Sequence, residues 1–231
     1  MNLRREGRPL RIGHRGAPAL APENTIESLV AAMDRGVDLV EMDVTADRDG
    51  LRLAHEAASL TSESPSLEEA LELVRARGAG AILDLKSPGV ESEVVGLVRA
   101  HGLLDRAVVA SFHPRSLRAV NELEPSLTTG LSYPNDRAGL ADRPALQPLI
   151  RAGLAGLRRT LPARIGRMLA RARADTALLH HGLITRRLVD RCHARGAAVL
   201  AWTVEDEAVL ERVCAAGVDG VIANDPDLFG D

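Results

Sequence analysis

The chain has 231 residues, 45% hydrophobic and 26% charged, enough for one large core and slightly short of the roughly 250 residues of a typical (β/α)8 barrel, so a single domain over 1–231 is expected. A formal charge of -3 and a pI near 6.2 argue against a nucleic-acid partner, which demands a basic face to neutralise phosphates, and leave room for a small anion held by a local cluster. Aromatic residues are only 2%, so the core must come from Leu, Val, Ile and Ala, a composition suited to buried parallel strands under helices.

The opening run Met1-Asn2-Leu3-Arg4-Arg5-Glu6 is charged with no apolar stretch behind it, and no apolar run of the roughly 18 residues that a spanning helix needs appears anywhere. Neither a signal peptide nor stable membrane insertion is expected, and the chain is read as soluble and cytoplasmic; no oligomeric state is read from it. Strand patterns then follow at Leu10 to Gly13, Leu39 to Thr45, Ala81 to Leu85, Ala107 to Ser111, Thr128 to Ser132, Ala177 to His180, Ala198 to Thr203 and Gly220 to Ala223. Amphipathic helical patterns separate them. Asn24-Thr25-Ile26-Glu27 and Ser66-Leu67-Glu68-Glu69 fit a capping residue followed three positions on by Glu, with Asn24 as the cap of the first helix, and Pro114 fits a first helical turn. Arg35-Gly36, Arg77-Gly78, His101-Gly102, Arg195-Gly196 and Ala216-Gly217 mark helix ends. The stretch from Asp136 to Asp175 is less regular, with an Arg- and Ala-rich helical pattern broken by Pro162, and reads as surface helices. Eight strands alternating with helices imply a parallel sheet, and closure into a (β/α)8 barrel is the natural reading.

Active sites of such barrels lie at the carboxyl ends of the strands. His14 ends the first strand, Glu41 and Asp43 lie on the second, Asp84 and Lys86 end the third, and Ser111, His180, Trp202 and Asn224 end the fourth, sixth, seventh and eighth. Strand side chains alternate faces, so Glu41 and Asp43 point one way, as do Asp84 and Lys86. Three converging carboxylates repel unless a divalent cation favours their ionised forms, and all-oxygen ligation points to one Mg2+ or Ca2+. Arg15 offers two donors to a phosphate, and Lys86, the only lysine of the chain, a compact point charge. His55 follows a hairpin signal at Asp47 to Gly50 that folds it back over the acids, so His14 and His55 form a candidate general acid and base.

Other residues carry less. Glu23 and Asn24 either open the first helix or support the site. Trp202, the sole tryptophan, is a wall residue for the apolar part of a ligand. His180, His181, Ser111 and His113 are given no chemistry, His101 and His193 are expected at the surface near helix ends, and Cys192 and Cys214, without zinc spacing, are expected to be structural.

Gly13-His14-Arg15-Gly16, Glu23-Asn24-Thr25, Glu41-Met42-Asp43, His55 and Asp84-Leu85-Lys86 occur in the order seen in the glycerophosphodiester phosphodiesterase family, which the chain resembles throughout, more loosely at Ser111-Phe112, Trp202-Thr203-Val204 and Gly217 to Ile222. The resemblance implies a TIM-like barrel and metal-dependent hydrolysis of a glycerophosphodiester to sn-glycerol 3-phosphate and an alcohol. It implies one cation on Glu41, Asp43 and Asp84, His14 and His55 as the acid-base pair, Arg15 and Lys86 on the phosphate, and water or the glycerol hydroxyl as nucleophile. Asp84 stands where the family usually has Glu, as in the related sphingomyelinase D group, His55-Glu56 replaces His-Asp, and Ala57 to Ser64 is a short segment. A sphingomyelinase D or lysophospholipase D-like activity on a lysophospholipid-like substrate is therefore the alternative, and a non-catalytic phosphate-binding barrel a third.

Overall fold

Period-two alternation along each strand separates an inward from an outward set of side chains, and this builds the whole architecture. The computed structural model describes residues 1–4, 7–135 and 147–230. Nine strands are formed among the described residues: β1 (Leu10–Gly13), β2 (Leu39–Asp47), β3 (Gly50–Leu53), β4 (Gly80–Leu85), β5 (Ala107–Ser111), β6 (Thr128–Tyr133), β7 (Thr176–His180), β8 (Ala198–Val204) and β9 (Gly220–Ala223). Their order is β1-β9-β8-β7-β6-β5-β4-β2, and β1 pairs with β2, through Ile12 opposite Leu39 and Gly13 opposite Val40, to close an eight-stranded parallel barrel. All eight expected strands are present. The ninth, β3, is the expected hairpin arm, antiparallel to β2 from Val44 opposite Leu53 to Asp47 opposite Gly50.

Outward residues such as Val40, Met42, Leu83, Val109 and Val199 pack under a ring of helices: α1 (Ile26–Asp34), α2 (Leu67–Arg77), α3 (Glu91–Ala100), α4 (Pro114–Leu123), α5 (Gln147–Ala172), α6 (Arg186–His193) and α7 (Glu207–Ala215). Inward residues Leu10, Ile12, Leu39, Ile82, Val108, Leu178, Leu200 and Ile222 fill the lumen, with Leu3 sealing its amino-terminal end. Gly130 faces inward on β6, where a Cβ would lie 2.4 Å from Leu178 Cδ1; its missing side chain is the space that Leu178 fills.

Ser66 and Glu69 form the expected capping box on α2, and Pro114 opens α4. Two helix expectations are corrected. The cap of α1 is Thr25, which accepts from Ser28 N, one residue later than expected, because Asn24 is held in the left-handed region (φ 57) with its amide spent on Asp43. The helix pattern before Asp175 is not broken at Pro162: α5 runs through it as one 26-residue helix. A proline forfeits a single backbone hydrogen bond, and here Leu161, Ile165, Leu169 and Ala172 are buried at helical spacing and hold the helix on the barrel. The earlier part of that irregular stretch, 136–146, lies outside the described residues.

A repeated device sets the base of the barrel. Asp38, Asp175 and Asp219 each stand one residue before a strand and accept a hydrogen bond from a backbone N–H of the neighbouring strand: Arg11 N (2.8 Å), Thr129 N (3.0 Å) and Val199 N (2.7 Å). Asp219 also pairs with His193 Nε2 at 2.8 Å, so His193 is a half-buried partner and not the free surface residue expected from its place near a helix end. Asp219→Ala removes the acceptor of both groups and should cost about 1–3 kcal/mol of folding stability in urea unfolding; an unchanged midpoint would show that the carboxylate does not pin β8 to β9.

Candidate active site

Above the apolar layer of the lumen, the next inward position on nearly every strand changes character. The cavity there, about 530 Å3, is lined by His14, Arg15, Glu41, Asp43, His55, Asp84, Lys86, Phe112, Ser132 and Trp202 above a floor that includes Leu178 and Ile222. All eight candidate residues named from the sequence meet in this one place. Ser111 does not: the parity that points Val108 and Ala110 inward sends it outward, where its hydroxyl donates to Leu85 O and accepts from His113 N. Phe112 is the residue of that segment that faces the cavity.

The turn after β1 is shaped around Ser28 of α1, whose hydroxyl donates to Arg15 O and accepts from Ala17 N. Gly16 (φ +87) lies so close that a Cβ would sit 2.4 Å from Ser28 Oγ, which explains the glycine of the His-Arg-Gly run. Arg15 itself takes a left-handed backbone (φ 50), and its N–H donates to Glu41 Oε2 at 2.8 Å. The guanidinium donates from Nη1 to both oxygens of Glu23 (2.8 and 2.9 Å), lies 3.0 Å from Asp43 Oδ2 through Nε, and reaches His55 Nδ1 at 3.0 Å through Nη2. Glu23 and Asn24 therefore both serve the site, Asn24 by donating to Asp43 Oδ2 and accepting from Asp43 N, each at 3.0 Å.

His14 Nδ1 bonds Asn224 Oδ1 at 2.7 Å, which leaves Nε2 facing Glu41 Oε2 at 4.0 Å. Burial, and next the charge of Arg15, lower the His14 pKa to about 4, so the ring is neutral at pH 7. The hairpin brings His55 in from the other flank: Ala54 N bonds Asp43 O, Thr45 Oγ1 bonds Ala54 O, and His55 Nδ1 lies 3.1 Å from Asp43 Oδ2.

The cluster carries more carboxylates than permanent cations. Glu41, Asp43 and Asp84 are buried, with carboxylate oxygens within 4.8 Å of one another. Burial, then the neighbouring Asp43, raise Glu41 to about 8. Burial pushes Asp43 upward too, but the hydrogen bond from His55 and the charges of Lys86 and Arg15 hold it well below the usual carboxylate range. Lys86 Nζ lies 2.5 Å from both Asp43 Oδ1 and Asp84 Oδ2. Four carboxylates, with Glu23, thus share two permanent cations, and Asp84 Oδ1 is buried with no hydrogen-bond partner. A divalent cation fits both the charge deficit and the all-oxygen donor set.

Trp202 stands across from the acids, edge-on to Phe112 (6.3 Å between ring centroids) and to His180 (5.4 Å). His180 accepts from Gly182 N and stacks 4.4 Å from His181, so it braces the wall from behind. Among residues the sequence reading left without a role, Asn224 is the notable one. Its only local signal was a polar residue at a strand end; its bond to His14 spans 210 positions across the barrel's closure. Cys192 is buried and Cys214 half-buried, both free, as expected of structural thiols.

A parallel barrel with imidazoles, acids and bases gathered at its mouth is the equipment of a phosphoester-cleaving enzyme. Residues 14–60 and 84–228 match the model of the glycerophosphoryl diester phosphodiesterase family, and the chain belongs to that family of phosphodiesterases. A glycerophosphodiester phosphodiesterase of Caldanaerobacter subterraneus subsp. tengcongensis is 26% identical over 255 residues, covering 94% of this chain and 95% of the relative. Two solved structures share the fold: an Oleispira antarctica phosphodiesterase in complex with the product sn-glycerol-3-phosphate (TM-score 0.73, 23% identity, 95% and 94% of the two chains) and a glycerophosphodiester phosphodiesterase of Thermotoga maritima (TM-score 0.72, 18% identity, 97% and 98%). Among the described residues, no helix is long and apolar enough to cross a membrane.

His180 gives the site a pH signature away from the acids. Burial, then His181 and Arg212, lower its pKa to about 4, below the usual histidine value of about 6.5, so the unfolded chain takes up the proton first. The stability this ring contributes is complete above pH 6.5 and lost as pH falls toward 4. His180→Gln should therefore narrow the difference in unfolding free energy between pH 7 and pH 5, read from urea titrations, by on the order of 1 kcal/mol after solvent screening; an unchanged difference would show that the ring does not resist protonation.

Proposed function

We propose that this enzyme hydrolyses a glycerophosphodiester to sn-glycerol 3-phosphate and an alcohol, with His14 and His55 as its acid-base pair and one Mg2+ or Ca2+ on Glu41, Asp43 and Asp84. The observation that carries this reading is the position of the two imidazoles on either flank of one buried acid cluster, His14 against Glu41 and His55 against Asp43. His14, neutral at pH 7 with Nδ1 held by Asn224, is suited to take a proton at Nε2 from the attacking hydroxyl, whether of water or of the substrate's own glycerol. His55, its Nδ1 3.1 Å from Asp43 Oδ2, is suited to act as the acid through an Nε2–H presented to the leaving alcohol. When bound, a divalent cation would polarise the phosphoryl group and offset the charge that grows on it.

Arg15 and Lys86 are the cations available to the phosphate oxygens, and Arg15, braced by Glu23, is presented without a search through rotamers. Trp202 and Phe112 offer apolar surface to the carbon part of the substrate. Residues 1–231 act in this reading as one catalytic unit. The single short turn at Ala57–Ser59 after His55, together with Asp84 in place of Glu, favours lysophospholipid-like substrates as a second reading.

Choline or ethanolamine release from glycerophosphocholine and glycerophosphoethanolamine, with Mg2+ or Ca2+ added, is the direct assay, with lysophosphatidylcholine vesicles for the second reading. Turnover should be lost in chelator and restored by one of the two cations; activity that survives exhaustive chelation would refute the cation requirement. His14→Ala and His55→Ala should each lower kcat by about 10²- to 10⁴-fold while both variants still fold cooperatively in urea titrations at pH 7. Wild-type kcat in either variant would remove that histidine from the mechanism.

A further inference from the structure

Lys86 occupies an unexpected place. Lys86 lines the cavity together with Asp43 and Asp84, and its Nζ lies 2.5 Å from Asp43 Oδ1 and 2.5 Å from Asp84 Oδ2, two of the three carboxylates that could share a cation. Its side chain is 14% exposed. We propose that Lys86 is the resident counter-ion of the acid cluster and that it leaves Asp43 and Asp84 when a divalent cation enters, so that one ammonium serves the carboxylates first and becomes available to phosphate only after loading. This rests on the reading of Glu41, Asp43 and Asp84 as a cation site.

Three features support an exchange over simultaneous occupancy. First, an ammonium and a divalent cation a few ångströms apart repel, so a cation entering among Glu41, Asp43 and Asp84 weakens the hold of Asp43 and Asp84 on Nζ. Second, the motion required is confined to the side chain: Lys86 N is fixed by a 3.0 Å hydrogen bond to Val44 O, while four flexible methylenes separate the backbone from Nζ. Third, a resting place exists on the cavity side, where the Phe112 ring centroid is already 5.9 Å from Nζ and provides a face for a cation. The choice of residue fits the task. Every other permanently charged basic side chain is Arg, and a planar guanidinium would grip a carboxylate through two parallel bonds, whereas an ammonium makes a point contact that a cation can displace.

Because the chain contains one lysine, [15N]lysine labelling gives a single side-chain Nζ signal, and the experiment needs no variant. In chelator-treated protein the Nζ–H3+ signal should be visible, since two carboxylates protect it from exchange with water. Addition of Mg2+, and separately of Ca2+, with uptake followed by calorimetry on the same sample, should shift it or broaden it away in proportion to occupancy. A signal that persists unchanged while the cation binds overturns the exchange and leaves the cation site intact. In parallel, Lys86→Gln and Lys86→Met should bind the cation at least about tenfold more tightly than wild type; equal or weaker binding in both overturns it. If neither wild type nor variants take up either cation, the cation site and the exchange fall together.

Discussion

The Asp43 carboxylate is the constraint on which the rest of the site depends. It is 1% exposed and sits where four segments converge. Asn24 from the loop before α1 bonds both its side chain and its backbone, Arg15 from the turn after β1 lies 3.0 Å away, His55 approaches from the β2–β3 hairpin, and Lys86 comes from the strand paired beside it. A charge this deeply buried is tolerable only when paired and hydrogen-bonded on every side, so the need to satisfy one carboxylate fixes the position of a guanidinium, an ammonium, an imidazole and an amide at once. The left-handed backbones of Arg15 and Asn24 are costs of the same convergence, borne where the surrounding contacts over-determine them.

Parallel pairing supplies the other half of the design. With β2 and β4 in register from Leu39 opposite Gly80 to Val44 opposite Leu85, Asp43 falls directly beside Asp84. The alternation that turns Val40 and Met42 toward the helices turns Glu41 and Asp43 into the lumen. Lower in the barrel the same inward positions are Leu39, Ile82, Val108, Leu200 and Ile222. The site is thus continuous with the core, and its apolar floor strengthens the electrostatic interactions above it.

This also explains which parts were legible in the sequence. Strand identity and facing follow from local periodicity, so Glu41, Asp43, Asp84 and Lys86 were assignable to one volume, and the hairpin signal at Asp47 to Gly50 was enough to bring His55 over them. Features governed by distant partners were not legible. The pattern Asn24-Thr25-Ile26-Glu27 admits a cap at either of two residues, and Asp43, 19 positions away, decides between them by claiming Asn24. Pro162 reads as a break because the buried stripe that carries α5 through it is a tertiary fact. His193 looked like a helix-end residue until Asp219, from the strand end below, supplied a partner.

The charge count connects these observations to chemistry. Glu23, Glu41, Asp43 and Asp84 bring four potential negative charges, and Arg15 and Lys86 return two, which is the deficit one divalent cation would fill. The cluster lowers its own charge by holding a proton on Glu41, whose pKa is raised to about 8, and by pairing Lys86 with Asp43 and Asp84. In the proposed reading both adjustments would compete with catalysis, since a protonated Glu41 would be a poor ligand and a paired Lys86 a poor phosphate clamp, and a bound cation would reverse both. The charge balance of the cluster would then set the order in which cation and phosphate are taken up.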